Sequence, residues 1–110
     1  MELKRVVVTG LGALTPIGNN IQEYWDALKS GKSGCAPITY FDTEKFKTKF
    51  ACEIKNYDPL QHFDRKEARK LDRFAQYALV SSDQAIKDAA LDMDAIDKFR
   101  VGVIWGAGIG

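Results

Sequence analysis

Four cations carry the sharpest chemical signal in the chain. Lys66, Arg69, Lys70 and Arg73 fall at i, i+3, i+4 and i+7, a spacing that places all four on one face of a helix. Arg65 flanks them, and Asp64, Glu67 and Asp72 dilute the patch. Such a face is commonly just solvated. As a functional surface it would dock an acidic partner: nucleic acid, an acidic protein helix or a phosphate. The interspersed carboxylates suit a protein partner better than a nucleic-acid backbone.

The thiols and the imidazole offer less. Cys35 and Cys52 are the only cysteines, and His62 is the only histidine. They form no CxxC pair, and three groups are too few for a tetrahedral zinc site. Cys35 stands between Gly34 and Ala36 with no activating neighbour, whereas a nucleophilic cysteine needs a helix N-terminus or a positioned base. His62, beside Phe63, reads as a surface or boundary residue. No paired carboxylates stand out as an acid–base couple. The first residues, MELKRVVVTG, lack the pattern of a secretory signal. The expectation is therefore a cytoplasmic chain with two reduced thiols, and a Cys35–Cys52 disulfide is disfavoured on that compartment argument.

Two glycine clusters each follow a β-branched run. Gly10-Leu11-Gly12 invites a dinucleotide-binding reading, but Thr15 stands where the third small residue belongs, and Pro16 rigidifies the loop. No acidic residue ends a second strand about 20 residues on, as ribose recognition requires. The plainer reading is a tight strand-to-helix turn. Gly106-Ala107-Gly108-Ile109-Gly110 is either a turn that admits close approach or the floor of a cleft, with Ile109 its one sizeable side chain.

The elements that must position these groups follow from periodicity. Arg5–Gly10 and Arg100–Trp105 read as strands buried on both faces. Asn20 is a candidate N-cap with Glu23 at N3. Ile21, Tyr24, Trp25 and Leu28 then make one apolar helix face, Lys29 falls in the last turn, and Gly31 suits the position after the cap. Trp25 and Trp105 are expected in the core. Residues 32–63 read as a long excursion with short strand or turn pieces, closed by a helical turn after Pro59 and too long to be passive. From Asp64 a helical pattern runs to about Ala90, with a possible break near Leu71–Asp72. Leu71, Phe74, Ala75, Ala78, Ser82, Ala85, Ile86 and Ala89 form a stripe of mainly small residues suited to close packing.

Composition bounds the class. The chain has 110 residues, 16 Lys+Arg against 15 Asp+Glu, and 45% hydrophobic residues. That excludes intrinsic disorder and argues against a dedicated nucleic-acid binder. No apolar run approaches the about 20 residues that span a bilayer. Charge is uneven all the same: residues 43–73 carry nine cations and six anions, and residues 83–97 carry one cation and five anions. Two buried-type strands do not make a stable sheet by themselves, so the expectation is the front part of a larger α/β protein.

Four segments in register resemble the β-ketoacyl-acyl-carrier-protein synthases, most of all the elongating synthase II group. They are RVVVTGLGALTPIGN at Arg5–Asn19, FDTEKFKTKFA at Phe41–Ala51, DRKEARKLDRFAQYAL at Asp64–Leu79 and RVGVIWGAGIG at Arg100–Gly110. The resemblance implies a thiolase-like five-layer α/β/α/β/α sandwich, built from two similar halves and usually homodimeric. Residues 1–110 would be the N-terminal portion of the first half. It implies condensation of an enzyme-bound acyl group with malonyl-acyl-carrier protein, with no cofactor and no metal. The family's cysteine nucleophile, histidines and lysine lie downstream of the matched segment, so no catalytic residue falls in this chain, and Cys35, Cys52 and His62 match none of them. Two roles carry over to residues present here. Lys66, Arg69 and Lys70 match the residues that dock the acidic carrier protein, and Ile109 matches the isoleucine that gates the acyl pocket near the dimer interface. Ala107 replaces the serine often found in that loop. The competing reading is a non-catalytic carrier-docking or chain-length module that acts with a separate catalytic chain.

Overall fold

The computed structural model describes residues 1–109. Helix α1 spans Ile21–Lys29, α2 Arg65–Lys70 and α3 Arg73–Asp88. Strands β1 (Ala36–Pro37) and β2 (Phe50–Ala51) pair antiparallel, with Ala36 opposite Ala51 and Pro37 opposite Phe50. Short 3-10 turns cover Pro59–Gln61 and Lys98–Arg100.

Helix α1 begins and ends as its residues dictate. The Asn20 side chain accepts from the Glu23 N–H at 2.9 Å. The Glu23 carboxylate reaches back one residue further than a simple capping box, to the Asn19 N–H at 2.8 Å. At the other end Gly31 takes φ +66°. The Lys32 N–H bonds the Ala27 carbonyl, and the Gly31 N–H bonds the Leu28 carbonyl, a Schellman closure that requires the left-handed residue in between.

Helix α3 is the spine on which the N-terminal third is hung. The Leu11 N–H donates to the Asp88 carboxylate at 2.8 Å, and the Ala13 N–H donates to Gln84 Oε1 at 3.0 Å. Gln84 Nε2 in turn donates to the Asn19 carbonyl at 2.8 Å. Backbone comes this close because the contact face is small. A Cβ added at Gly10 would overlap Ala85 and Ala89, and one at Gly12 would overlap the Ser81 carbonyl and Ala85. Ala85 and Ala89 of the small-residue stripe thus face the glycines, together with Ser81, which the stripe did not include.

The apolar interior is slight. Among the described residues Ala27, Ala78 and Val80 are the buried hydrophobic ones, and Gln76 is the buried polar one. The solvent-accessible surface of 9348 Å² exceeds the about 6,100 Å² of a compact monomer of this mass by half. The radius of gyration, 17.3 Å, likewise exceeds the about 13 Å of a compact chain of this length.

Three sequence-based expectations are corrected here. Arg5–Gly10 and Arg100–Trp105 are not paired strands: Val6 is 91% exposed and Ile104 98%. Neither run has a neighbouring strand to satisfy its backbone and cover its faces. Trp25 and Trp105 are exposed rather than core residues; over Trp25 lies the Lys29 ammonium, 5.9 Å from the ring centre. The Trp105 indole N–H donates to the Ser82 hydroxyl at 3.2 Å. The helical pattern from Asp64 is indeed two helices, so Arg73 leaves the cationic face.

Candidate functional site

The cationic face begins with its caps. Asp58 accepts from the Leu60 N–H at 3.0 Å, starting the turn that Pro59 favours. Asp64 then caps α2, accepting from the Glu67 N–H at 2.8 Å. The Asp64 carboxylate that diluted the patch in sequence is thereby committed to backbone. Leu71 swings to extended backbone, φ −98° and ψ 127°, and ends the helix.

A buried amide holds this break. Gln76 Nε2 donates to the Ala68 carbonyl at 2.9 Å and to the Leu71 carbonyl at 3.1 Å. Its Oε1 accepts from the Tyr57 hydroxyl at 2.9 Å. One side chain thus satisfies two carbonyls around the end of α2 and ties α2 to α3 and to the excursion. Sequence reading missed Gln76, and the only trace of its role was the helix break itself. Tyr57 also stacks on His62 at 5.8 Å and meets Tyr77 edge-on at 5.1 Å.

Lys66, Arg69 and Lys70 are exposed on α2, and their spacing keeps them on one face. Among the described residues the ion pairs are Lys29–Asp26, Lys87–Asp83 and Lys98–Asp94, none of which involves the patch. Arg65–Lys70 holds four cations and one carboxylate, with Asp64 and Asp72 at its ends, so the cations face solvent with a modest net positive charge.

Arg73 takes a different place. Its guanidinium lies over the Tyr40 ring at 4.7 Å and makes long contacts of 3.4 and 3.5 Å to the Tyr40 and Tyr77 hydroxyls. It forms one wall of an open cavity of about 630 Å³ that Pro37, Thr39, Tyr40, Glu53 and Tyr57 also line. Bonding to the Tyr77 hydroxyl and then burial raise the Tyr40 phenol above its ordinary pKa; burial raises Tyr57 in the same way. Burial works to raise Glu53 too. The Thr39 hydroxyl and N–H and the Tyr40 N–H outweigh it and hold this carboxyl below the ordinary range. The cavity is an aromatic wall bracketed by two carboxylates, Glu53 and Asp58, and two cations, Lys55 and Arg73.

The glycine-rich turn at Gly10–Asn19 has no vacancy for phosphate. The Leu11 and Ala13 N–H groups are used by Asp88 and Gln84, and a carboxylate at that spot repels an anion. Thr15 and Gly18 close a tight turn with backbone bonds of 2.8 and 3.3 Å around Pro16 and Ile17. At the other cluster Ile109 is 96% exposed, and a Cβ added at Gly102, Gly106 or Gly108 would meet nothing within 4 Å. His62 is exposed as the cap of the Pro59–Gln61 turn. Cys35 and Cys52 are free and exposed.

Residues 3–110 match the family model described as Beta-ketoacyl synthase, N-terminal domain. The chain is 49% identical over all of its length to 3-oxoacyl-acyl-carrier-protein synthase 2 of Synechocystis sp., of which it covers 26%. It is 48% identical over 97% of its length to the Staphylococcus aureus synthase 2, again 26% of that protein. Over its full length it is 46% identical to the Coxiella burnetii synthase 2, covering 27% of it. A solved structure described as the ishigamide ketosynthase/chain length factor superposes with a TM-score of 0.70 at 37% identity, covering 80% of this chain and 22% of that one. The chain therefore spans about a quarter of the length of the curated relatives it matches.

Proposed function

The chain belongs to the beta-ketoacyl synthase family through that family's N-terminal domain, and from this premise we propose that it is the opening portion of a fatty-acid-elongating condensing enzyme. In this reading residues 1–110 begin the first half of a thiolase-like sandwich that works as a cytoplasmic homodimer. The reaction joins an enzyme-bound acyl group to malonyl-acyl-carrier protein. A thiolate takes the acyl group from its carrier. Malonyl loses carbon dioxide, the resulting carbanion attacks the acyl thioester, and the thiolate leaves as β-ketoacyl-carrier protein forms. Hydrogen-bond donors offset the charge that develops on oxygen. The thiolate and its histidines belong to the part of the enzyme beyond these residues, and Cys35, Cys52 and His62 take no part.

The contribution of this portion is to receive the carrier. The observation that carries the reading is the Lys66–Arg69–Lys70 face, exposed, without ion-pair partners among the described residues, and set by the Gln76 clasp. An acidic carrier protein is steered by such a face. Ile109, bare in the isolated segment, gates the acyl pocket once the rest of the enzyme surrounds it. The uncovered runs at 6–8 and 103–105 have the composition of central strands, and in the whole enzyme they enter a sheet.

The test is made on the whole enzyme with Lys66→Glu and Arg69→Glu together. Carrier association is expected to slow by about tenfold at low ionic strength, with the gap closing as salt rises. An unchanged on-rate at low salt overturns the docking role. Supplying acyl- and malonyl-carrier to the unaltered enzyme should yield β-ketoacyl-carrier and carbon dioxide. Product that appears only when a second, catalytic chain is added would favour the non-catalytic module instead.

A further inference from the structure

Cys35 and Cys52 occupy facing positions that neither the condensation chemistry nor the docking face uses. Ala36 pairs with Ala51 and Pro37 with Phe50; Cys35 and Cys52 are the next residues beyond that end of the ladder, and the same register carried one step on brings them opposite each other. The Ile38 N–H donates to the Lys49 carbonyl at 3.0 Å. Proline has no N–H to donate, so positions 37 and 50 are a non-hydrogen-bonded pair, and alternation makes 35 and 52 another. The Cys35 N–H accordingly turns away from the partner strand, to the Ser33 hydroxyl at 3.2 Å.

The two segments also stay together beyond the cysteines. Lys55 Nζ donates to the Gly34 carbonyl at 2.7 Å and to the Glu53 carbonyl at 3.0 Å. The ladder itself ends at Ala36 and Ala51, and its register carried on would bring Gly34 opposite Glu53. The cysteines therefore lie between a strand pair on one side and an ammonium clasp on the other. Non-hydrogen-bonded partners sit about 4.5 Å apart at Cα, within the about 4.4–6.8 Å that a disulfide bridges. Directly opposed residues of an antiparallel pair share one face, and here both are exposed.

We infer that Cys35 and Cys52 are a redox-responsive dithiol, a modification site at the mouth of the 38–49 excursion, with a peroxide as the oxidant. One thiolate attacks a peroxide oxygen and becomes a sulfenic acid as the O–O bond breaks and water leaves. The second thiolate attacks that sulfur, the S–O bond breaks, and the oxygen departs as water once protonated. Two thiols lose two electrons and two protons, hydrogen peroxide becomes two waters, and one S–S bond forms. A cytoplasmic setting disfavours a permanent structural bridge, but it is where transient, sensing disulfides occur. The bridge would close the loop that carries Thr39 and Tyr40, two walls of the cavity beside Arg73.

The experiment treats the folded whole enzyme with hydrogen peroxide, blocks remaining thiols by alkylation and digests with trypsin. Cleavage after lysine releases Ser33–Lys45 and Phe50–Lys55, each holding one of the two cysteines. The expected product is these two peptides cross-linked within one chain, two hydrogens lighter than their sum, and separated again by dithiothreitol. Prior unfolding in urea should slow the cross-link severalfold, because the strand register creates the proximity. Cys35→Ser should abolish it and leave Cys52 free to be alkylated or oxidised singly; Cys52→Ser should do the converse. Two peptides that remain fully alkylated, that gain oxygen separately, or that link only between chains would overturn the assignment.

Discussion

Arg5–Gly12 and Arg100–Gly108 are built alike, each a β-branched run leading into spaced glycines, yet they meet helix α3 very differently. The first is locked down at its glycine end. Gly10 and Gly12 lie against the α3 backbone, and Asp88 and Gln84 take up the neighbouring N–H groups. Among the described residues the second has one hydrogen bond to α3, from the Trp105 indole to the Ser82 hydroxyl, and Gly102, Gly106 and Gly108 face open space. The difference lies in the partner's surface, not in the runs themselves. Small residues and two correctly spaced polar side chains on α3 meet the first stretch, while the second awaits a neighbour of another kind.

Substitutions should expose this contrast in order of size. In the 110-residue chain, Gly12→Ala drives a Cβ into the Ser81 carbonyl and should cost about 3 kcal/mol in urea unfolding. Gly106→Ala should stay within about 0.5 kcal/mol. In the whole enzyme the second value should rise toward the first, since there the 101–109 run is covered; equal values already in the isolated chain would break the comparison. Next, Gln84→Ala strips a partner from both Ala13 and Asn19 and should cost about 2 kcal/mol. Ser82→Ala, which loses only the Trp105 contact, should cost about 0.5 kcal/mol. Reversal of that order would show that the second stretch is the better anchored.

A smaller effect comes from the end of the spine. Helix α3 closes with the same Schellman bonds as α1, from Leu91 to Ile86 and from Ala90 to Lys87, but Ala90 rather than glycine holds the left-handed position at φ 50°. Ala90→Gly should therefore stabilise by about 1 kcal/mol, read as a raised unfolding midpoint with an unchanged slope. The least effect on stability belongs to Ile109→Phe, within about 0.5 kcal/mol because the side chain is bare. Its readout is functional: the whole enzyme should shift toward shorter acyl primers. An unaltered chain-length profile would remove Ile109 from the gate.

Local features were legible in the residues. Asn20 and Gly31 marked both ends of α1, Pro59 announced its turn, and the interruption at Leu71–Asp72 was visible as a break in period. Lys66, Arg69 and Lys70 were recognisable as a face because three positions within two turns need only a helix to align them. Arg73 was not separable from them by spacing. Its removal depends on Leu71 turning extended and on Tyr40 arriving from 33 residues upstream. Gln76 left no trace beyond the helix break it holds, since its partners at Tyr57, Ala68 and Leu71 assemble only in three dimensions.

Helix caps, turns and the cationic helix face follow from the sequence by itself, because each is settled by contacts within a few residues. Family membership follows as well, since it rests on residue order along the whole chain. The tertiary structure alone decided that Gly10 and Gly12 serve close approach and not phosphate, that Arg73 belongs to an aromatic cavity, and that the 36–37 and 50–51 segments pair next to the two cysteines. Those outcomes depend on which distant backbone or side chain arrives opposite a residue, and no spacing along the chain encodes that arrival.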